Sequence, residues 1–69
     1  MSDRVYKLSE IVGTSTESIE KAIQAALDRA SDSIRNLRWF EVVTTRGYIH
    51  PEHGLYYQVT LKVGFQLED

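Results

Sequence analysis

Residues 55–67 read LYYQVTLKVGFQL and alternate almost without a break. Leu55, Tyr57, Val59, Leu61, Val63, Phe65 and Leu67 form one apolar row. Tyr56, Gln58, Thr60, Lys62, Gly64 and Gln66 form the other. A period of two is the mark of a β-strand with one buried face. Whatever else the chain does, it must bring an apolar layer to the odd-numbered side of this strand.

The segments on the N-terminal side supply that layer. His50-Pro51-Glu52-His53-Gly54 is a turn signal, and residues 37–50, LRWFEVVTTRGYIH, read as a long strand. The two strands therefore form a hairpin. Residues 16–34 place Ile19, Ala22, Ile23, Ala26, Leu27, Ala30 and Ile34 at the spacing of an amphipathic helix. Its apolar stripe is narrow and rich in alanine, so it can lie close to a sheet. Thr14 and Glu17 have capping-box spacing and are predicted to start the helix, and Asn36 to end it. Residues 4–13, RVYKLSEIVG, read as the first strand. Tyr6, Leu8 and Val12 share one of its sides, and Val5 and Ile11 the other. The order is β-α-β-β, an α+β subunit in which one helix covers one face of a three-stranded sheet.

Sixty-nine residues make a single domain, 1–69. A chain this short buries only about 60% of its unfolded surface, so small folds lean on disulfides, metals or self-association. With no cysteine, disulfides and thiolate metal sites are excluded. Self-association remains, and the second face of the sheet is its natural place. Lys+Arg number 8 against 10 Asp+Glu, which argues against a sequence-independent nucleic-acid binder. No apolar run approaches the ~20 residues of a membrane span. The opening MSDRVYKLSE lacks the apolar core of a signal peptide. The absence of cysteine suits a reducing compartment, and the expected location is cytoplasmic.

Side-chain catalysis has little to build on. There is no Cys, and no Ser lies in a nucleophile-elbow pattern. His50 and His53 flank the Pro turn. A metal there needs a third ligand, and Glu52 is the only local candidate; solvated turn residues are the plainer reading. Gly13 fits a strand-to-helix corner and Gly54 the hairpin turn, while Gly47 and Gly64 inside strands mark bulges or a close approach.

Trp39 is the most informative residue. Phe40 beside it points the other way, so one of the two must leave the helix-covered side. Gln58 sits near the middle of the polar row of the third strand. A Trp and a Gln on an open face suit a planar heteroaromatic, the indole by stacking and the amide by paired donor and acceptor. Plain interface packing of Trp39 is the competing reading.

V-G-T-S before the helix, A-I-Q-A-A-L-D-R-A within it, R-W-F-E-V, R-G and the closing Y-Q-V-T-L-K-V-G-F-Q-L-E-D together resemble the dodecins. The resemblance spans about residues 5–69. It implies a three-stranded antiparallel sheet of order 1-3-2 wrapped around the helix, and a closed, hollow homododecamer. It implies flavin bound in pairs, with the ring stacked on Trp39 and its edge hydrogen-bonded by Gln58. Arg46, just before Gly47, matches an Arg associated with the phosphate of flavin mononucleotide (FMN). FMN is therefore expected over riboflavin, and some bacterial dodecins also bind coenzyme A. The family commonly ends G-F-R-L-E, whereas this chain carries Gln66, so no role of that Arg transfers. Trp39 and Arg46 are seven apart, and a regular strand puts them on opposite faces. A bulge near Gly47 would reunite them; otherwise Arg46 serves a ligand held by a neighbouring subunit.

The function expected is flavin storage or sequestration without catalysis. Stacking excludes water and oxygen, and the indole can donate an electron to photoexcited flavin and so quench it. The alternative is a self-assembling interaction module with no small ligand. A flavin enzyme lacks any candidate acid or base.

Overall fold

The antiparallel register of the sheet organises the subunit. A computed structural model describes residues 3–68, with β1 at Tyr6–Ser15, α1 at Ile19–Ser33, β2 at Leu37–His50 and β3 at Gly54–Gln66. The alternating strand β3 is central, and the order is β1-β3-β2. β1 pairs from Tyr6 opposite Gln66 to Ser15 opposite Tyr57. β2 pairs from Leu37 opposite Phe65 to His50 opposite Gly54. The expected β-α-β-β architecture and the 1-3-2 order are both present.

The helix start differs from expectation. Thr14 is a strand residue opposite Gln58, so it caps nothing. Ser18 is the N-cap, its Oγ accepting from Lys21 N at 3.0 Å. Ser15 Oγ accepts from Glu17 N at 2.9 Å and Ser18 N at 3.4 Å, which turns the chain out of β1. Strand pairing has claimed Thr14, which the capping-box spacing assigned to the helix start. At the other end Ile34 N–H donates to the Ala30 carbonyl at 2.8 Å. Asn36, at φ 64, then redirects the chain, a left-handed conformation that Asn tolerates well. Its carbonyl accepts from Gln66 N at 3.0 Å, tying the corner to β3.

Odd-numbered residues of β3 face the helix. Val59, Leu61 and Val63 are fully buried against Ala22, Ala26 and Ala30, with Ile11, Ile23 and Leu27 packed around them. Gly13 belongs to β1, not to a corner as the sequence suggested. A Cβ there would collide with the Ala22 carbonyl oxygen and Ala26 Cβ. Small residues on both sides let helix and sheet meet almost backbone to backbone. The helix, however, packs on β1 and β3. Phe40 and Val42, on the helix side of β2, remain 44% and 48% exposed. One helix is too narrow to cover three strands.

The outcome is a long, thin slab. Its extents are 56 × 20 × 13 Å and its radius of gyration is 14.5 Å, where a compact domain of this length has about 11 Å. Its accessible surface is 5332 Å², against roughly 4,400 Å² for a compact monomer of this mass. Residues Gly54–Tyr56 pair with β2 alone, so the hairpin overhangs β1 as a two-stranded arm.

Candidate functional site

The open face of the sheet is set by two irregularities in β2. Register shifts fall between Leu37 and Trp39 and between Val42 and Thr44. The first leaves Arg38 unmatched and puts Trp39 opposite Gly64, on the face away from the helix. The second leaves Val43 unmatched. Between Trp39 and Arg46, β2 therefore spends seven steps where β3 spends the six from Gly64 to Gln58. The extra residue restores parity, and Arg46 lies directly opposite Gln58, on the face that carries Trp39. The bulge expected near Gly47 lies at Val43, and Gly47 pairs regularly with Tyr57.

Trp39 is built into its place. It is 40% exposed. Tyr6 of β1 meets the indole edge-on, with centroids 5.1 Å apart and planes at 72°, a favourable aromatic geometry. The indole Nε1–H donates to Glu41 Oε1 at 3.4 Å. Gly64 lies beneath it, where a Cβ would overlap ring atoms Cε2, Cζ2 and Cη2. Phe40, opposite Val63, takes the helix side.

Gln58 belongs to a different neighbourhood. Thr14, Gln58 and Arg46 form one row across the three strands. Beyond that row the arm opens into a cleft of about 780 Å³ lined by Thr16, Tyr48, Ile49, His50, His53, Tyr56 and Gln58. Tyr48 and Tyr56 are cross-strand partners with ring centroids 6.0 Å apart. Gly64 and Gln58 are six residues apart on β3, which is roughly 20 Å of strand. One tricyclic ring cannot touch Trp39 and Gln58 of the same chain. The structure thus groups Arg46 with Gln58 and places Trp39 apart, on the same face. A site using all three side chains takes them from more than one subunit.

Between the two neighbourhoods runs a charged row, Glu10–Lys62–Glu41, with the lysine on the central strand. The turn histidines are engaged locally. His50 Nδ1 accepts from Glu52 N at 3.1 Å and His53 N at 3.2 Å, and the rings lie 4.4 Å apart. His50 thus uses a ring nitrogen to close the turn. No group of three or more metal-ligating side chains converges among the described residues.

Sequence reasoning missed Tyr6 and Glu41 as neighbours of Trp39. Tyr6 had been grouped only with its own strand, and the i, i+2 spacing of Trp39 and Glu41 was the available signal. No described helix is long and apolar enough to cross a membrane.

Comparison with known proteins places this architecture. The family model described as Dodecin matches residues 5–68. A dodecin from Thermus thermophilus is 54% identical over 66 residues, covering 96% of both chains. The crystal structure of an arginine-to-alanine mutant of the T. thermophilus dodecin superposes with a TM-score of 0.90 at 56% identity, covering 97% of this chain and 98% of that one. A dodecin from Streptomyces davaonensis gives a TM-score of 0.91 at 44% identity, covering 99% and 100%. With its helix-wrapped 1-3-2 sheet and a match across nearly its whole length, the chain belongs to the dodecin family.

Proposed function

We propose that this protein binds flavin by stacking the isoalloxazine ring on Trp39, within a closed homo-oligomer of twelve subunits, and that it stores the flavin without catalysing a reaction. The observation that carries the reading is the indole itself. It lies over a bare Gly64 backbone, bounded by Tyr6 and Glu41, with part of its surface free on an open sheet face. A space that a Cβ would fill is occupied by a ring held ready to stack, which fits a planar heteroaromatic.

The remaining residues fit the same ligand. Gln58 offers a paired donor and acceptor for the polar edge of the ring. Arg46 beside it offers a cationic fork for a phosphate monoester and forms no salt bridge among the described residues. FMN is thus favoured over riboflavin. Bound flavin supplies a light-absorbing ring; Trp39 covers it, keeps out water and oxygen, and stands in contact to donate an electron that quenches its excited state. Coenzyme A is a second candidate ligand, although Gln66 leaves one cation fewer than the family usually has. A cytoplasmic location accords with the lack of cysteine.

Assembly follows from the same geometry. Among the described residues thirteen large apolar ones are exposed on one subunit, and Trp39 and Gln58 could converge on one ligand only between chains. The test is direct. Light scattering on the purified protein is expected to show a stable mass many times 7.9 kDa, and added riboflavin to lose its fluorescence. A folded monomer at micromolar concentration overturns the assembly. An assembly that leaves riboflavin fluorescence unchanged is a self-associating module with no flavin, in which Trp39 is an interface anchor.

A further inference from the structure

We infer that Gly64 and Glu41 are positioning residues for Trp39, fixing its ring flat on the sheet as a platform formed before any ligand arrives. The inference deepens the stacking role proposed above and rests on it. Its core is a geometric relation. A Cβ built on Gly64 lies at nearly equal distances from Cε2, Cζ2 and Cη2, three consecutive atoms of the six-membered ring. Only points on the axis through the ring centre are equidistant from three consecutive atoms of a hexagon. A point beyond the ring edge would lie distinctly closer to the middle atom. The Cα–Cβ direction of Gly64 therefore points into the centre of the ring face, and the benzo ring rests on the bare backbone of β3.

No side chain is compatible with that arrangement. Even a methyl group would occupy the ring's own place, and the atoms in its way belong to a bulky, stiff indole. The register shift after Leu37 delivers Trp39 to Gly64 in β3's open row. Neighbouring positions of that row are Lys62 and Gln66, neither of which could floor an aromatic ring in this way.

Glu41 fixes the remaining freedom. A ring resting on one floor can still tip away from it by rotation about χ2. The Nε1–H···Oε1 contact of 3.4 Å holds its pyrrole edge, and Tyr6 closes a second edge. Glu41 stands opposite Lys62, which faces Glu10 on its other side, so its carboxylate lies in a row of alternating charge. A ring ordered in advance spends no binding energy on its own immobilisation.

The sequence has a single Trp, so the long-wavelength indole band in the near-ultraviolet circular dichroism of the ligand-free protein, beyond the range of the four tyrosines, reports on this ring alone. Gly64→Ala is expected to lift the ring, collapse the indole band, and raise the riboflavin dissociation constant roughly tenfold or more. Glu41→Ala is expected to weaken the band and raise the constant by about threefold to tenfold, while Glu41→Gln, which keeps an acceptor oxygen, restores both. Far-ultraviolet dichroism and assembly mass of each variant exclude general unfolding. If Gly64→Ala does not fold, the Glu41 pair decides. An unchanged band and affinity in Gly64→Ala, or in Glu41→Ala, overturns the role given to that residue. A wild type that ignores riboflavin, with variants that lose the indole band, refutes the flavin reading and leaves the positioning intact.

Discussion

The two faces of one sheet have been finished to different degrees. On the helix side, Val59, Leu61 and Val63 are fully buried beneath an alanine stripe, and Gly13 lets the helix come almost to the backbone. On the other side, Tyr6, Leu8, Val12, Trp39, Tyr48 and Tyr56 are each about two-fifths exposed or more. Yet that side is not loosely arranged. Its bulges, its aromatic contact and its glycine floor are as specific as anything in the core. A surface can thus be highly ordered while still unfinished. Order without burial fits a face whose missing layer is the flavin and the further copies proposed above.

Substitutions on the two faces should separate these roles. The largest loss of stability is expected from Leu61→Ala on the closed face, about 2–5 kcal/mol by denaturant titration, since the residue is fully buried and its surroundings relax only partly into the space it leaves. A cost no larger than that of Trp39→Ala would abolish the contrast. Trp39→Ala is expected to act on binding instead. By analogy with base–aromatic stacking, at ~1–3 kcal/mol per ring, flavin affinity should fall roughly tenfold to a hundredfold and the quenching should be relieved.

Arg46→Ala should have a smaller, selective effect. Arg46 is exposed, so its contact with a phosphate falls at or below the low end of the ~1.5–3 kcal/mol typical of charged hydrogen bonds. Parallel titrations should show a modest FMN preference in the wild type, reduced by salt and absent in the variant, with riboflavin affinity barely moved. Equal affinities in the wild type at low salt would return Arg46 to pairing with an acidic residue across an interface. The smallest effect concerns the helix of the closed face. Ser18→Ala should cost about 1 kcal/mol through loss of the observed cap. Thr14→Val, which removes the hydroxyl but keeps a β-branched strand residue, should leave the helix end undisturbed in the same unfolding experiment, because Thr14 lies in β1.

How much of this was legible in the sequence depended on the range of the interactions. The alternation of β3 and the alanine stripe of the helix are local patterns, and both elements form where those patterns place them. The cap was misassigned because Thr14 has two competing uses. Helix capping is visible at a spacing of three, whereas pairing with Gln58 depends on a residue 44 positions away. The common face of Trp39 and Arg46 was posed correctly as a question of parity, but its answer lay in a register shift at Val43, which carries no Gly or Asn to announce it. Gly64 was recognisable as a bulge or a close approach, and only the fold decided for the second and identified Trp39 as what approaches it. The distance between Trp39 and Gln58 within one chain was hidden for a simpler reason. Residues on one face need not be neighbours, and six positions along a strand are a long way.

The unmatched Val43 has a consequence for how such a chain can change over generations. Its side chain is half exposed and pairs with nothing across the ladder, so many residues should serve there. Removing the position altogether should be borne as well. Trp39 and Arg46 would then be six residues apart, as Gly64 and Gln58 are, so the regular count itself keeps every pairing between Thr44 and the turn. Arg46 would stay beside Gln58, and Thr45 opposite Val59. Position 43 should therefore be free in identity and dispensable in existence, open to substitution and to deletion alike.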